Sequence, residues 1–158
     1  MEQQQVMRKK EREITDPGEV EFVIKRAIVC RIALSDNNVP YLVPVNFGYQ
    51  DGCLYIHTAG EGMKIDIIRR NNRVCFEMEA DLELTKGPTA CKWGMRYRSV
   101  IGFGRASLVE GSEEKRAALD IIMRHYSGDS HDYSEKLVDK VAIIRVEIDT
   151  MTGKQSGY

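Results

Sequence analysis

Apolar and polar residues alternate along several segments of this chain in the way that half-buried β-strands require. Val74, Phe76 and Met78 are separated by more polar neighbours across residues 73–79, and a period of two indicates a strand with one buried face. Other apolar or extended runs, both shorter and longer, are also predicted as strands. These five runs are 27–34, 39–49, 53–57, 97–109 and 141–148. Together with 73–79 they give six predicted strands.

Three segments follow the helical period instead. Val20, Val23 and Ile24 fall on one helical face, and Asp16 followed by Pro17 is typical of a helix start. A short helix is predicted over 63–70 and a longer one from Ser112, as its cap, to about Tyr126. Residues 1–13 are polar and basic, and we expect an N-terminal arm there that is flexible or packs on a partner.

The connections between the strands predict the fold class. Asp51-Gly52 indicates a tight hairpin, so the strands on either side of it are antiparallel neighbours. Pro40 and Pro44 restrict their run to an edge or irregular strand. Helices lie between strands without regular alternation, which favours a mainly β fold with peripheral helices. We therefore predict a six-stranded antiparallel barrel, closed or nearly closed, in a single domain over 1–158.

Composition and charge exclude several classes of function. The formal net charge of −1 argues against a dedicated nucleic-acid-binding protein. No apolar stretch is long enough for a transmembrane helix, and the polar N-terminus lacks a signal-peptide core, so we expect a cytoplasmic protein without a membrane partner. The cysteines and histidines show no metal-ligand spacing, and no metal site is predicted.

The segment from Leu54 to Lys64 has the pattern of a phosphate-binding turn. A strand ends, two glycines follow, and a helix begins with a lysine. Helix N-termini attract phosphate through free N–H groups and the helix dipole. Thr58 adds a hydroxyl and Lys64 a positive charge, although a simple turn before a helix is the alternative. His57 is interpreted either as a ligand contact or as a structural hydrogen-bonding residue.

Two further segments suggest how a flat ring could be bound. Asn46 places an amide within an apolar strand, and a flavin needs backbone and amide hydrogen bonds along one edge with apolar walls elsewhere. An exposed Asn on an edge strand is the alternative. Arg98 either pairs with an anion or is solvated. Gly102 and Gly104 share one strand face, which allows a backbone or ring to approach closely or simply marks a barrel bend.

In order and spacing these segments resemble the pyridoxamine-phosphate-oxidase-like FMN-binding split-barrel superfamily. Within it, the chain is most similar to the nitroimidazole-resistance (Nim) flavoproteins. The resemblance extends over nearly the whole chain and is strongest at 55–62, with 64–66 and 68–71. It also includes 7–14, 40–47, 97–106 and 152–154.

The resemblance implies a split barrel that forms a homodimer with two FMN sites at the interface. It places Val45, Asn46 and Phe47 along the isoalloxazine, and Thr58 and Lys64 at the phosphate. Other contacts from the same or the partner subunit are expected from Trp93, Arg98 and Ser99. With the residues beside the phosphate turn, the candidate cofactor-binding set is Val45, Asn46, Phe47, His57, Thr58, Met63, Lys64, Trp93, Arg98 and Ser99.

One departure from the family pattern concerns catalysis. Nim-like sequences commonly carry a His just before the Lys, and this chain has Met63 there. That His is the residue usually linked to their reductive chemistry, so the departure bears on nitroimidazole reduction and leaves FMN binding untouched. No catalytic residue is assigned from the sequence.

The leading hypothesis is an FMN-dependent oxidoreductase. Its flavin would accept electrons from a reduced nicotinamide or another donor and pass them to a small acceptor, with a nitroimidazole as one candidate. The alternatives are a non-catalytic protein of the same fold that holds FMN or haem, and a structural dimer with an empty cleft.

Overall fold

The structure is a computed structural model, and it describes residues 6–158. Over that range the strands are β1 (Glu13–Ile14), β2 (Cys30–Asp36), β3 (Val39–Val45), β4 (Gly48–Gln50), β5 (Cys53–Ala59), β6 (Arg73–Thr85), β7 (Gly94–Val109) and β8 (Val141–Ser156). The helices are α1 (Pro17–Arg26), α2 (Met63–Arg70), α3 (Ser112–Ser127) and α4 (Glu135–Lys140), with 3₁₀ turns at Lys10–Arg12 and Ala90–Lys92.

The strands form one antiparallel sheet in the order β3-β2-β6-β7-β8-β5-β4, with β1 beside β8. This confirms the predicted mainly β class with peripheral helices. The described residues contain eight strands rather than six, because two short ones join the sheet. β1 lies at the end of the predicted arm and pairs with Gly153 and Lys154, while residues 1–5 of that arm lie outside the described residues.

The predicted run 39–49 is divided into β3 and β4 because the chain changes its partner strand. β3 pairs with β2, whereas β4 pairs with β5 across the Asp51-Gly52 hairpin. β3 is an edge strand, as Pro40 and Pro44 indicated. Asn46 and Phe47 lie between β3 and β4, where the chain leaves β2 and begins to pair with β5.

The main core fills the side of the sheet on which α1 and α2 lie. Val74, Phe76 and Met78 of β6 are buried there, as their alternation predicted. α1 and α2 close this core with one apolar face each. The side chain of Phe76 occupies the space that a Cβ atom on Gly102 would need. The flat ring that approaches Gly102 is therefore the side chain of Phe76, a residue of the core.

A second apolar cluster lies on the opposite face of β5 and β8, under α3 and α4. Its buried members are Ala118, Leu119, Val138 and Ile143. α3 begins one residue earlier than its predicted cap implies. The helical hydrogen bond from Lys115 N–H reaches the carbonyl of Gly111 at 2.9 Å, so Gly111 is the N-cap and Ser112 lies in the first turn.

No helix within residues 6–158 has the length and apolar character needed to cross a bilayer.

Candidate functional site

A split in the sheet lies between β3 and the second half of β5. β4 pairs with β5 only from Cys53 to Tyr55, so within the described residues 56–59 are paired to β8 alone. β3 is similarly paired on one side only, to β2. We call the gap between these two free strand edges the split. Unpaired backbone N–H and C=O groups along it are available to a ligand.

Residues 45–47 form the vertex of the split. Val45 is half-buried and Asn46 is exposed, so both can face a ligand. Phe47 is fully buried, and its N–H donates to the hydroxyl of Tyr126 at 3.1 Å. That hydroxyl donates in turn to the carbonyl of Ile28 at 3.0 Å. The Phe47 side chain therefore belongs to the core, and its part in binding a ring is limited to its carbonyl.

Residues of α3 hold this vertex, and no pattern in the sequence pointed to them. The rings of Phe47 and His125 lie 4.3 Å apart, and Nε2 of His125 is 2.7 Å from the carbonyl oxygen of Ala27. Because these contacts join residues 78 and 98 positions apart, no local pattern could reveal them.

His57 and Thr58 point to opposite faces of β5. Thr58 is half-buried and in phase with Leu54 and Ile56, which line the main core. His57 is exposed and in phase with Tyr55, on the side that α3 covers. Side chains alternate in a strand, so a ligand that contacts Thr58 on the core side cannot also rest on the imidazole of His57.

The N-terminus of α2 has the features of an anion site. Gly62 is the N-cap with φ 120° and provides no side-chain hydrogen bond, so the first N–H groups of the helix lack a capping acceptor. Lys64 is half-buried in the first turn, and burial alone lowers the pKa of its ammonium group. No carboxylate of the described residues lies within ion-pair distance of it. Met63 beside it is largely exposed.

Arg98 and Ser99 likewise lie on opposite faces, so the structure does not bring them together. Arg98 donates to the carboxylate of Asp81 at 2.6 Å and stacks 4.0 Å from the ring centroid of Tyr158. Asp81 also accepts from Arg26, and these hydrogen bonds hold its pKa below the ordinary value. Arg98 and Arg26 thus share a single carboxylate. Asp81 lies in a bulge of β6 with φ 56°, which sequence periodicity could not reveal.

Ser99 belongs to a sheet surface that no helix of the described residues covers. We call this surface, on the side of β2, β3, β6 and β7 that faces away from the main core, the outer face. Its apolar members include Leu42 and Ile101, which are 63% and 38% exposed. Its members, placed by strand register, are Arg31, Ala33, Leu42, Pro44, Cys75, Glu77, Glu79, Ser99, Ile101 and Phe103.

The ends of β6 and β7 extend the outer face as a hairpin over residues 81–97. Leu84 and Met95 are register partners, and both are exposed. The opposite side of the hairpin is polar and includes an ion pair between Glu83 and Arg96 at 3.0 Å. Trp93 lies near the tip, half of its surface exposed, and its indole N–H donates to the carbonyl of Gly87 at 3.0 Å.

The pyridoxamine 5'-phosphate oxidase family model matches residues 16–155 of this sequence. This chain belongs to the pyridoxamine 5'-phosphate oxidase family. A solved structure from Bacteroides thetaiotaomicron, provisionally named as a 5-nitroimidazole antibiotic resistance protein, is 40% identical to this family member. The match covers 90% of this chain and 86% of that one, with a TM-score of 0.81. The resemblance to this family and to the nitroimidazole-resistance proteins is therefore confirmed.

Two more distant structures share the family fold. The flavocytochrome Anf3 of Azotobacter vinelandii is 18% identical, with a TM-score of 0.81, over 97% of this chain and 73% of that one. An FAD and haem binding protein of Mycobacterium smegmatis is 17% identical, also with a TM-score of 0.81, over 93% and 74%. At these identities the likeness shows the fold alone. No curated protein was found to match this chain.

Proposed function

We propose that this member of the pyridoxamine 5'-phosphate oxidase family is a homodimeric flavoprotein that binds FMN in the split. The proposal rests mainly on Lys64. Its ammonium group is half-buried, has no acidic partner within the described residues, and lies at a helix N-terminus without a side-chain cap. A phosphate dianion would supply the missing negative charge and the missing hydrogen-bond acceptors.

Thr58 and the glycine turn complete this phosphate subsite. Thr58 is the last residue but one of β5, just before the turn, and contributes a hydroxyl on the core side of the strand. Gly62 adopts φ 120°, a conformation that L side chains rarely adopt, so the backbone can begin α2 with its N–H groups pointing outwards. His57 faces the other side of the strand and has no part in this subsite.

The ring of the cofactor would lie along the free edge of β3. Val45 offers an apolar wall, and Asn46 offers an exposed amide at the vertex. Tyr126 fixes the backbone of Phe47 through its hydroxyl, which holds the polar groups of the vertex in one orientation. Bound FMN supplies hydride and electron transfer, and these residues bind and orient it.

A second copy of this chain is the proposed occupant of the outer face. The exposed apolar side chains of Leu42, Leu84, Met95 and Ile101 continue from the sheet into the hairpin 81–97. The ion pairs of Arg31 with Glu77 and Glu79 lie between them, so the surface combines exposed apolar side chains with paired charges, and exposed apolar residues bordered by polar ones support an interaction site. Ser99 and Trp93 lie on this surface, away from the split of their own chain, so a two-fold dimer is the simplest way for them to reach a flavin.

The proposed activity is electron transfer from a reduced nicotinamide or another donor to a small acceptor. The name of the 40% identical Bacteroides protein makes a 5-nitroimidazole a reasonable first acceptor to test. Transfer between FMN and small molecules requires an open approach to the ring, and the split is open on the side of the exposed Asn46.

A visible spectrum of the purified protein, before and after denaturation, tests the proposal directly. We expect a flavin band, and we expect the released cofactor to have the chromatographic retention and mass of FMN, at one per chain. A Soret band would instead indicate haem, and released FAD would indicate a different cofactor. If the apoprotein also fails to bind added FMN, the flavoprotein proposal is overturned.

A further inference from the structure

Three polar side chains form a row across the face of the sheet that α3 covers. Tyr55 on β5 is the register partner of Arg145 on β8, and Arg145 is the register partner of Ser107 on β7. Directly opposite residues of antiparallel strands have Cβ atoms about 5 Å apart, so these side chains are neighbours. The next residue of β8 on this face, Ile143, is fully buried in the apolar cluster under α3. The row therefore borders an apolar surface.

Arg145 has no carboxylate partner within the described part of the chain. Its Nη2 donates to Sγ of Cys53 at 3.2 Å, and a thiol is only a weak acceptor. Arg105 lies two residues from Ser107 on the same face of β7 and is fully paired, with Asp149 at 3.0 Å and Glu147 at 3.8 Å. A planar guanidinium that keeps most of its donors free is prepared for bidentate binding of a carboxylate.

A groove of about 430 Å³ lies between this row and α3. Small residues of the helix, Ala117 and Ala118, leave the space open, and Ile121 makes one end apolar. Glu114 also lines the groove, but its carboxylate is turned back towards the start of its own helix, where it approaches Gly111. It therefore leaves the charge of Arg145 uncompensated. The volume lies within the usual range of small-molecule sites, roughly 300–1,000 Å³.

We propose that this groove binds a small carboxylate with an apolar body. The guanidinium of Arg145 would hold the carboxylate, with the hydroxyls of Tyr55 and Ser107 on either side of it. The apolar part of the ligand would lie against Ala117 and Ile121. Tyr55 faces away from the side of β5 that carries Thr58, so this site is separate from the split and does not depend on the proposed flavin.

The test uses benzoate as the probe and benzamide as its uncharged analogue. Each is titrated into the full-length protein at constant ionic strength, and binding is followed by NMR through the methyl signals of Ala117, Ala118 and Ile121. We expect benzoate to shift these signals in a saturable way and benzamide to bind at least about tenfold more weakly. Arg145→Gln should weaken benzoate about ten- to hundred-fold, the range for loss of a charge-assisted hydrogen bond.

Two further variants separate binding from folding. Arg105→Gln removes a paired arginine from the same sheet face and should leave benzoate affinity unchanged. Ala117→Leu should block the groove from the exposed side of α3 while Arg145 is retained. The proposal is overturned if benzamide binds as well as benzoate, if Arg145→Gln retains wild-type affinity, or if Ala117→Leu still binds benzoate normally.

Discussion

Glu77 and Glu79 lie two residues apart on β6, and both carboxylates accept a hydrogen bond from the same nitrogen of Arg31, at 3.1 and 2.6 Å. Burial and the neighbouring carboxylate of Glu79 raise the pKa of Glu77 to about 7. One arginine therefore forms ion pairs with two carboxylates at the centre of the outer face. This arrangement makes the protein's stability depend on pH near neutrality.

We expect the free energy of unfolding to decrease as the pH rises from about 5 to 8. The ordinary pKa of a Glu side chain is 4.5, and that of folded Glu77 is about 7. Between these values the folded protein binds an extra proton, so the associated stability is complete below about pH 4.5 and is lost as the pH passes 7. Urea denaturation should show a loss on the order of 1–3 kcal/mol, at the lower end for a single chain because Glu77 is partly exposed there.

Glu77→Gln should remove most of this pH dependence. Glu83→Gln is the matched control, because Glu83 is on the same strand but pairs with Arg96 on the polar side of the hairpin. That variant should retain the wild-type slope. A Glu77→Gln protein with an unchanged slope would show that another group titrates in this range.

Lys64→Ala should weaken FMN about ten- to hundred-fold and leave riboflavin, which has no phosphate, nearly unaffected. The reason is that the ammonium group is expected to contact only the phosphate. Flavin fluorescence titrations of the apoprotein measure both affinities. Lys25→Ala, at an exposed lysine of α1 that pairs with Glu21, is the control. An equal loss of affinity for FMN and riboflavin would show that Lys64 contributes to folding and does not contact the phosphate.

Leu84→Glu should convert the dimer to a monomer and release the flavin. The substitution places a charge in the apolar surface of the hairpin, where a partner would have to bury it. Sedimentation equilibrium at micromolar concentration should give twice the chain mass of 18.0 kDa for the wild type and about one chain mass for the variant. Leu137→Glu on α4, a comparably exposed position, should remain dimeric. A wild-type monomer that holds FMN would contradict the proposed assembly.

Met63→His should increase the rate at which the reduced protein reduces a nitroimidazole. A thioether cannot donate a proton, whereas a His with a pKa near 6.5 can. Met63 is 61% exposed beside Lys64, so an imidazole fits without repacking. Anaerobic turnover with chemically reduced protein should rise by as much as about 10²-fold if the geometry suits proton transfer. Fast turnover by the native protein, unchanged in Met63→His, would mean that the acid is another residue.

The sequence by itself determined the features that depend on local spacing. Alternation fixed the buried face of β6, because side chains of a strand point to alternate sides. Asp16 caps α1 as its pattern indicated, accepting from the N–H of Glu19 at 2.9 Å. Asp51-Gly52 forms the expected hairpin. The family also followed from the order of such local segments, which is why the fold class was correct before any contact was known.

The tertiary structure alone decided which side chains meet. Strand register placed Arg98 against Asp81 and put Ser99 on the outer face, and the docking of α3 brought Tyr126 to the backbone of Phe47. The same docking left Arg145 in a groove without a carboxylate. Such pairings depend on bulges, register and helix packing between distant segments. Their energies are set by contacts that the spacing of residues along the chain does not encode.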